Sequence, residues 1–207
     1  MAPVEGVPDE AVEAFVLAAH GNLARVKELH RRHPEVLNAR YAKFDETALE
    51  AAGHMGRRDI VAYLLDAGAP LTIFAAAMLG RTDRVAEFLD RDPSLASAKG
   101  VHGIPLLFHA ALSGETALAE LLVARGGGDG AGLALHAGVR PGRVPGHVEM
   151  VRWLLARGAD PETPNFEGKP PLQVAVETDQ PEIADLLRRH SASDNPAGAG
   201  AMAGAGN

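Results

Sequence analysis

Apolar positions along the 207-residue chain recur in one arrangement: a short Ala-rich run, a Gly, then apolar residues about five, seven and eight positions further on. Ala76-Ala77-Met78-Leu79-Gly80 leads to Val85 and Phe88-Leu89, and Ala110-Ala111-Leu112-Ser113-Gly114 leads to Leu118 and Leu121-Leu122-Val123. Gly56 precedes Ile60-Val61 and Tyr63-Leu64-Leu65, and Gly146 precedes Met150-Val151 and Trp153-Leu154-Leu155. Two weaker copies flank these four. Leu17-Ala18-Ala19-His20-Gly21 stands before Val26 and Leu29, and Val174-Ala175 before Ile183 and Leu186-Leu187, with Asp179 in the place of the Gly. The pattern predicts six helix pairs. A Gly between antiparallel helices takes a positive φ at little steric cost, and small Ala residues let the first helices of successive pairs approach closely. The Leu-rich face of each second helix then fills the layer between pairs, a face that no single pair can bury alone.

The marks Gly21, Gly56, Gly80, Gly114, Gly146 and Asp179 are unevenly spaced, with the interval from Gly56 to Gly80 the shortest. Units one and three correspond more closely than neighbours do: Phe15 matches Phe74, Arg25-Val26 matches Arg84-Val85, Glu28 matches Glu87 and Pro34 matches Pro93. The repeat is therefore a pair of units, with a long link (His33 to Glu46, Asp92 to Gly103) followed by a short one (Ala67 to Ile73). Composition agrees with an all-helical stack: 46% of residues are hydrophobic but only 4% aromatic, so the core is built from Ala, Leu and Val. The absence of cysteine excludes disulfides, thiolate metal sites and thiol nucleophiles. A net charge of −7 opposes nucleic acid and anionic lipid as partners. The acidic opening residues lack the basic start of a secretory signal, and no apolar run is long enough to span a bilayer, so a cytoplasmic protein is expected.

These motifs resemble the ankyrin repeat family. Gly146 to Pro161 (Gly-His-Val-Glu-Met-Val-Arg-Trp-Leu-Leu-Ala-Arg-Gly-Ala-Asp-Pro) follows the family's turn, second helix and closing motif; Tyr63 to Ala69 repeats the closing part, and Gly168 to Ala175 the entry. The resemblance spans 10–190 and implies an all-α solenoid of about six helix-turn-helix units, with β-turn fingers in alternate connections. Residues 1–9 read as a lead-in, and the Gly/Ala-rich stretch 191–207 as a disordered tail. Thr47 with Glu50 offers a capping box, whereas Pro105 and Pro170 stand at the equivalent Thr positions and forgo that cap. About four extra residues within 140–146 predict a bulged turn in unit five.

The resemblance also places residues on the concave groove: His20, Lys43, Phe44, Glu46, His54, Met55, Met78, Leu79, His102, Ile104, Leu112 and Ser113. An aligned patch of Phe, Met and Leu rimmed by His, Lys and Glu reads as a surface for a partner protein or peptide. The opposing expectation is that neighbouring fingers fold over these residues and make them core. Of the other histidines, His136 and His147 match family positions that hydrogen-bond loop backbone, His109 reads as interhelical, and His30 and His33 as helix C-terminal. No phosphate loop, nucleophile elbow or His-Glu-x-x-His pair occurs, and the run 126–130 reads as a flexible linker. The expected function is thus a monomeric, non-catalytic binding module without cofactor or metal. The alternative is a small-molecule or catalytic pocket in which His20 or His54 acts as base, oriented by Glu46 or Asp45.

Overall fold

A computed structural model describes residues 8–140 and 146–194. Among these, twelve α-helices form six antiparallel pairs: α1 (Asp9–Ala19) with α2 (Leu23–Arg32), α3 (Ala48–His54) with α4 (Arg58–Asp66), α5 (Ile73–Met78) with α6 (Thr82–Arg91), α7 (Leu106–Ser113) with α8 (Thr116–Ala124), α9 (Ala131–Gly138) with α10 (His147–Leu155), and α11 (Pro171–Glu177) with α12 (Pro181–Asp194). The first helices stack in sequence order, α1 on α3, α3 on α5, α5 on α7, α7 on α9 and α9 on α11. Their contact faces are alanines: the predicted Ala19, Ala76, Ala77, Ala110 and Ala111 are wholly buried, as are Ala51, Ala52, Ala134 and Ala137. Each second helix contributes one stripe at helical spacing, such as Ile60, Val61 and Leu64, or Met150, Val151 and Leu154. No helix among the described residues is long and apolar enough to cross a membrane.

The turn glycines Gly56, Gly80, Gly114 and Gly146 all have positive φ, and Asp179 adopts the same conformation at φ 53° in the last pair. Gly146 has a second reason to lack a side chain, because a Cβ there would stand 2.3 Å from the carbonyl oxygen of Gly114. Gly21 departs from the expectation. It is not left-handed, and its carbonyl accepts a hydrogen bond from the Arg57 guanidinium of the neighbouring turn. The run 126–130 is also not a linker. A Cβ on Gly127 would collide with the carbonyl of Ala96 and one on Gly130 with the ring of Pro105, so the glycines permit close packing between units.

Long links alternate with short ones as the paired repeat requires. The first long link carries a two-stranded finger, β1 (Arg40–Tyr41) antiparallel to β2 (Glu46–Thr47), with Tyr41 opposite Glu46. The second closes through a bridge between Lys99 and Pro105, and the third runs from Ala156 to Pro170 before α11. Thr47 and Glu50 form the complete capping box at the start of α3, while Pro105 and Pro170 give no side-chain cap to α7 and α11. The final helix continues to Asp194 and takes in the first four residues of the expected tail, so Ser191 to Asp194 are helical. The rest of that tail and the 141–145 part of the unit-five insertion lie outside the described residues.

His109 lies inside the stack on α7, with Nδ1 donating to the carbonyl of Pro105 at 3.2 Å and the ring against Phe74 and Phe108. Burial pushes its pKa down to about 4. An unfolded histidine binds a proton below about pH 6.5 while folded His109 does not until about pH 4, so its contribution is intact above pH 6.5 and lost as pH falls across that window. Urea unfolding at pH 7 and pH 4 is expected to show wild type losing about 3 kcal/mol more than His109→Leu. A separate measurement at pH 7 checks the cap: Thr47→Ala is expected to lower the unfolding free energy by about 1 kcal/mol.

Candidate functional site

The first finger is held by its own charges. Arg40 donates to both carboxylate oxygens of Glu50 at 2.9 Å and to the backbone carbonyl of Asp45, and Tyr41 donates to Glu13 of α1 at 2.7 Å. Asp45 is left-handed at φ 51°, which turns the chain sharply enough to send the next side chain, Glu46, inward beneath the finger. Glu46 is 0% exposed. Three imidazoles from three units surround its carboxylate. His20, at the C-terminal end of α1, places Nε2 3.2 Å from Oε1; His54, the last residue of α3, places Nδ1 3.8 Å from Oε2; His102, on the second finger, places Nε2 3.3 Å from Oε2.

Helix stacking produces this convergence. His20 and His54 end successive first helices, so packing α1 on α3 sets their ring centroids 5.4 Å apart, and His102 lies 5.4 Å from His54 on the other side. Two adjustments hold the rings. His20 Nδ1 lies 3.1 Å from the carbonyl of Val16, one helical turn back, and His102 sits in a left-handed conformation at φ 57° with Phe44 edge-on to its ring. Contact with Glu46 raises the pKa of His20 against the opposing effect of burial. Burial pushes Glu46 upward, but His20 first, and His54 and His102 after it, more than offset this and leave the carboxyl below its ordinary value. Burial dominates at His54 and takes its pKa down to about 4. The buried carboxylate thus lies between an imidazole whose protonation it favours, His20, and one whose protonation burial disfavours, His54, at the wall of a cleft.

That cleft has a volume of about 730 Å³ and lies between the fingers and the ends of the first helices. Of the residues expected on the groove, His20, Phe44, Glu46, His54, Met55, His102 and Ile104 line it, and Lys43 sits over the ring of Phe44. Met78, Leu79, Leu112 and Ser113 do not. Met78, Leu112 and Ser113 are buried in the helix stack, and Leu79 is half-buried with its carbonyl accepting from Arg58. Ile104, though at the cleft, is 2% exposed and serves as floor. The continuous exposed apolar stripe is thus corrected to a compact cleft. The turn positions further along are occupied within the stack: Leu112 packs on Gly56 of unit two and its carbonyl receives His147 of unit five, while the Ser113 hydroxyl donates to Ala110 and accepts from the Glu115 amide of its own unit.

Sequence reasoning missed the far wall. Phe166, on the third finger and 72% exposed, faces the cleft together with Leu133, His136 and Arg140. Arg140 donates to the carbonyl of His54 at 2.7 Å and contacts the sulfur of Met55, tying unit five to unit two across the cleft. The signal for it is the finger position itself, which leads to Phe166 in the third long link. His136 and His147 bond the carbonyls of Thr163 and Leu112 as the resemblance implied, whereas His30 and His33 have specific partners in the Tyr63 hydroxyl and Glu35.

A family profile described as ankyrin repeats in many copies matches residues 135–188. Cyclin-dependent kinase 4 inhibitor B of Rattus norvegicus is 43% identical over 70 residues, 34% of this chain and 48% of that protein. The Mus musculus protein of the same name is 42% identical over the same shares. The chain thus spans about half the length of the curated relatives it matches. Among solved structures, a chain from the complex of a predatory endopeptidase of Bdellovibrio bacteriovorus with an immunity protein is 26% identical, with 86% of this chain and 97% of that chain covered and a TM-score of 0.43. The family profile falls on the fifth and sixth helix pairs, which carry ankyrin repeats, and their turn, second helix and closing motif recur along the remaining stack of an all-α ankyrin solenoid.

Proposed function

We propose that this chain is a non-catalytic module that binds a partner protein or peptide at the cleft between its fingers and first helices. The observation that carries the reading is the pair of aromatics at that cleft: Phe44 is 38% and Phe166 is 72% exposed, and both line it from different fingers. Aromatic side chains flanking a depression supply large contact area at small entropic cost and commonly anchor protein partners. Met55 at the cleft wall adds an adaptable apolar surface, and His54, His102 and Glu46 add a polar base that orients whatever enters. The rodent relatives are named as inhibitors of cyclin-dependent kinase 4, which supports a protein as the target class. The negative charge of the chain supports neither nucleic acid nor an anionic membrane as partner, and a monomer acting in the cytoplasm accords with the absence of cysteine.

The cleft volume favours a second reading. About 730 Å³ falls within the size range of small-molecule sites, and the convergence of His20, His54 and Glu46 on the cleft is chemistry that a small ligand could use. One experiment separates the two. Wild type and the Phe44→Asp/Phe166→Asp variant are purified from native cells under mild conditions, and what accompanies each is identified by mass spectrometry. Both substitutions lie at exposed positions, so the thermal midpoint is expected to stay within about 2 °C. A stoichiometric protein retained by wild type and depleted at least roughly tenfold from the variant supports the binding module. Equal retention by both forms moves partner binding away from the cleft, and a small molecule alone supports the pocket.

A further inference from the structure

The backbone around Glu46 is repeated in the next finger, where the side chain is different. Asp45 is left-handed, Glu46 follows, and Thr47 caps α3; Gly103 is left-handed, Ile104 follows, and Pro105 opens α7. Both middle residues are buried, so packing at this position is satisfied by an aliphatic chain, and Glu46 stands where a carboxylate is unfavourable unless its charge is met. What meets it is incomplete. Oε1 of Glu46 has no hydrogen-bond partner although His20 Nε2 is 3.2 Å away, and Nδ1 of the buried His54 has none although Oε2 is 3.8 Å away. The carbonyl of Val16 accepts only from a protonated His20 Nδ1, which in the neutral ring leaves the Nε2 lone pair facing the carboxylate. Electron pairs from different units then converge on one point. A proton on His20 would join a single pair, whereas a cation takes all three groups at once.

We propose that His20 Nε2, His54 Nδ1 and the Glu46 carboxylate form a binding site for a divalent first-row transition metal ion. One ligand atom from each of the three residues lies within 4.8 Å of the other two, and the imidazole nitrogens stand 3.2 Å (His20 to Oε1) and 3.8 Å (His54 to Oε2) from the carboxylate, on either side of the roughly 3.3 Å expected between ligands of a tetrahedral ion with bonds of about 2.0–2.1 Å. Imidazole nitrogens with one carboxylate suit Zn²⁺, Fe²⁺, Ni²⁺ or Cu²⁺ and disfavour Mg²⁺ and Ca²⁺, which take oxygen ligands. The Val16 carbonyl supplies the outer contact that metal-binding histidines commonly use to fix ring and tautomer. Since α1, α3 and the first finger provide the ligands, an ion there would cross-link the first two units at the cleft wall. The site is independent of whether the cleft binds a protein.

The test uses the full chain without a histidine tag, stripped with EDTA and exchanged into metal-free buffer. Zn²⁺ is titrated by calorimetry and Co²⁺ by visible absorption. The expected result is one ion per chain with a Kd below about 1 μM, a thermal midpoint that rises with Zn²⁺, and Co²⁺ bands of low coordination number. Glu46→Gln and His20→Asn are each expected to weaken binding at least roughly 100-fold and to abolish the Zn²⁺-dependent rise in midpoint. His33→Asn, at the exposed end of α2, leaves both unchanged and separates the site from surface histidines. His20 is part-exposed, so His20→Asn keeps the test decisive if Glu46→Gln does not fold. Absence of saturable binding up to about 100 μM Zn²⁺, or binding that is the same in wild type and both variants, overturns the assignment and leaves the cluster a proton-held ion pair.

Discussion

The close approach of first helices through their alanine faces is the contact on which the molecule depends. A helix such as α5, six residues long, is far too short to persist alone in water. It exists because α3 and α7 press on it from either side, and because Ala76 and Ala77 keep those helices near enough to exclude solvent. The same closeness dictates the turns. Helices packed this tightly leave little room for a side chain at the reversal, which is why a Cβ at Gly146 would strike the backbone of Gly114 in the preceding pair. Each pair is therefore held less by its own residues than by its neighbours, as in other arrays whose stability is a sum of unit and interface contributions.

Stacking at fixed spacing also explains how a site arises without any local motif. Residues that end successive first helices are far apart in the chain but become neighbours in the stack, as His20 and His54 do. The fingers add a second layer over these helix ends. The left-handed Asp45 turns Glu46 under the finger, and the left-handed His102 brings its ring from the next finger to the same carboxylate. Three rows of the architecture thus meet at one buried charge. The third finger then faces them with Phe166, and Arg140 links the two sides, so the cleft is a product of the fingers together with the first helices of units one, two, four, five and six.

Buried charge and exposed aromatic surface divide the labour at this face. The polar base is desolvated and held by neighbouring groups, which makes it selective about what it accepts. The aromatic rim is open and tolerant of shape. An ankyrin stack carrying both has an apolar edge around a polar point, in contrast to the flat stripe that exposed turn residues alone would provide.

Much of this was determined by the sequence itself: six helix pairs, their alternating links, the capping box at Thr47 and the seven groove residues that do line the cleft all follow from periodicity and from the family resemblance. These features are local or repeat exactly, so one dimension is enough to carry them. Tertiary structure alone decided the rest. Met78, Leu112 and Ser113 occupy positions equivalent to cleft residues, yet they are buried within the helix stack. The opposing wall at Phe166 and Arg140, and the closure of three imidazoles around Glu46, depend on how far successive units are displaced from one another. That displacement is set by side-chain packing in three dimensions, and no spacing along the chain encodes it.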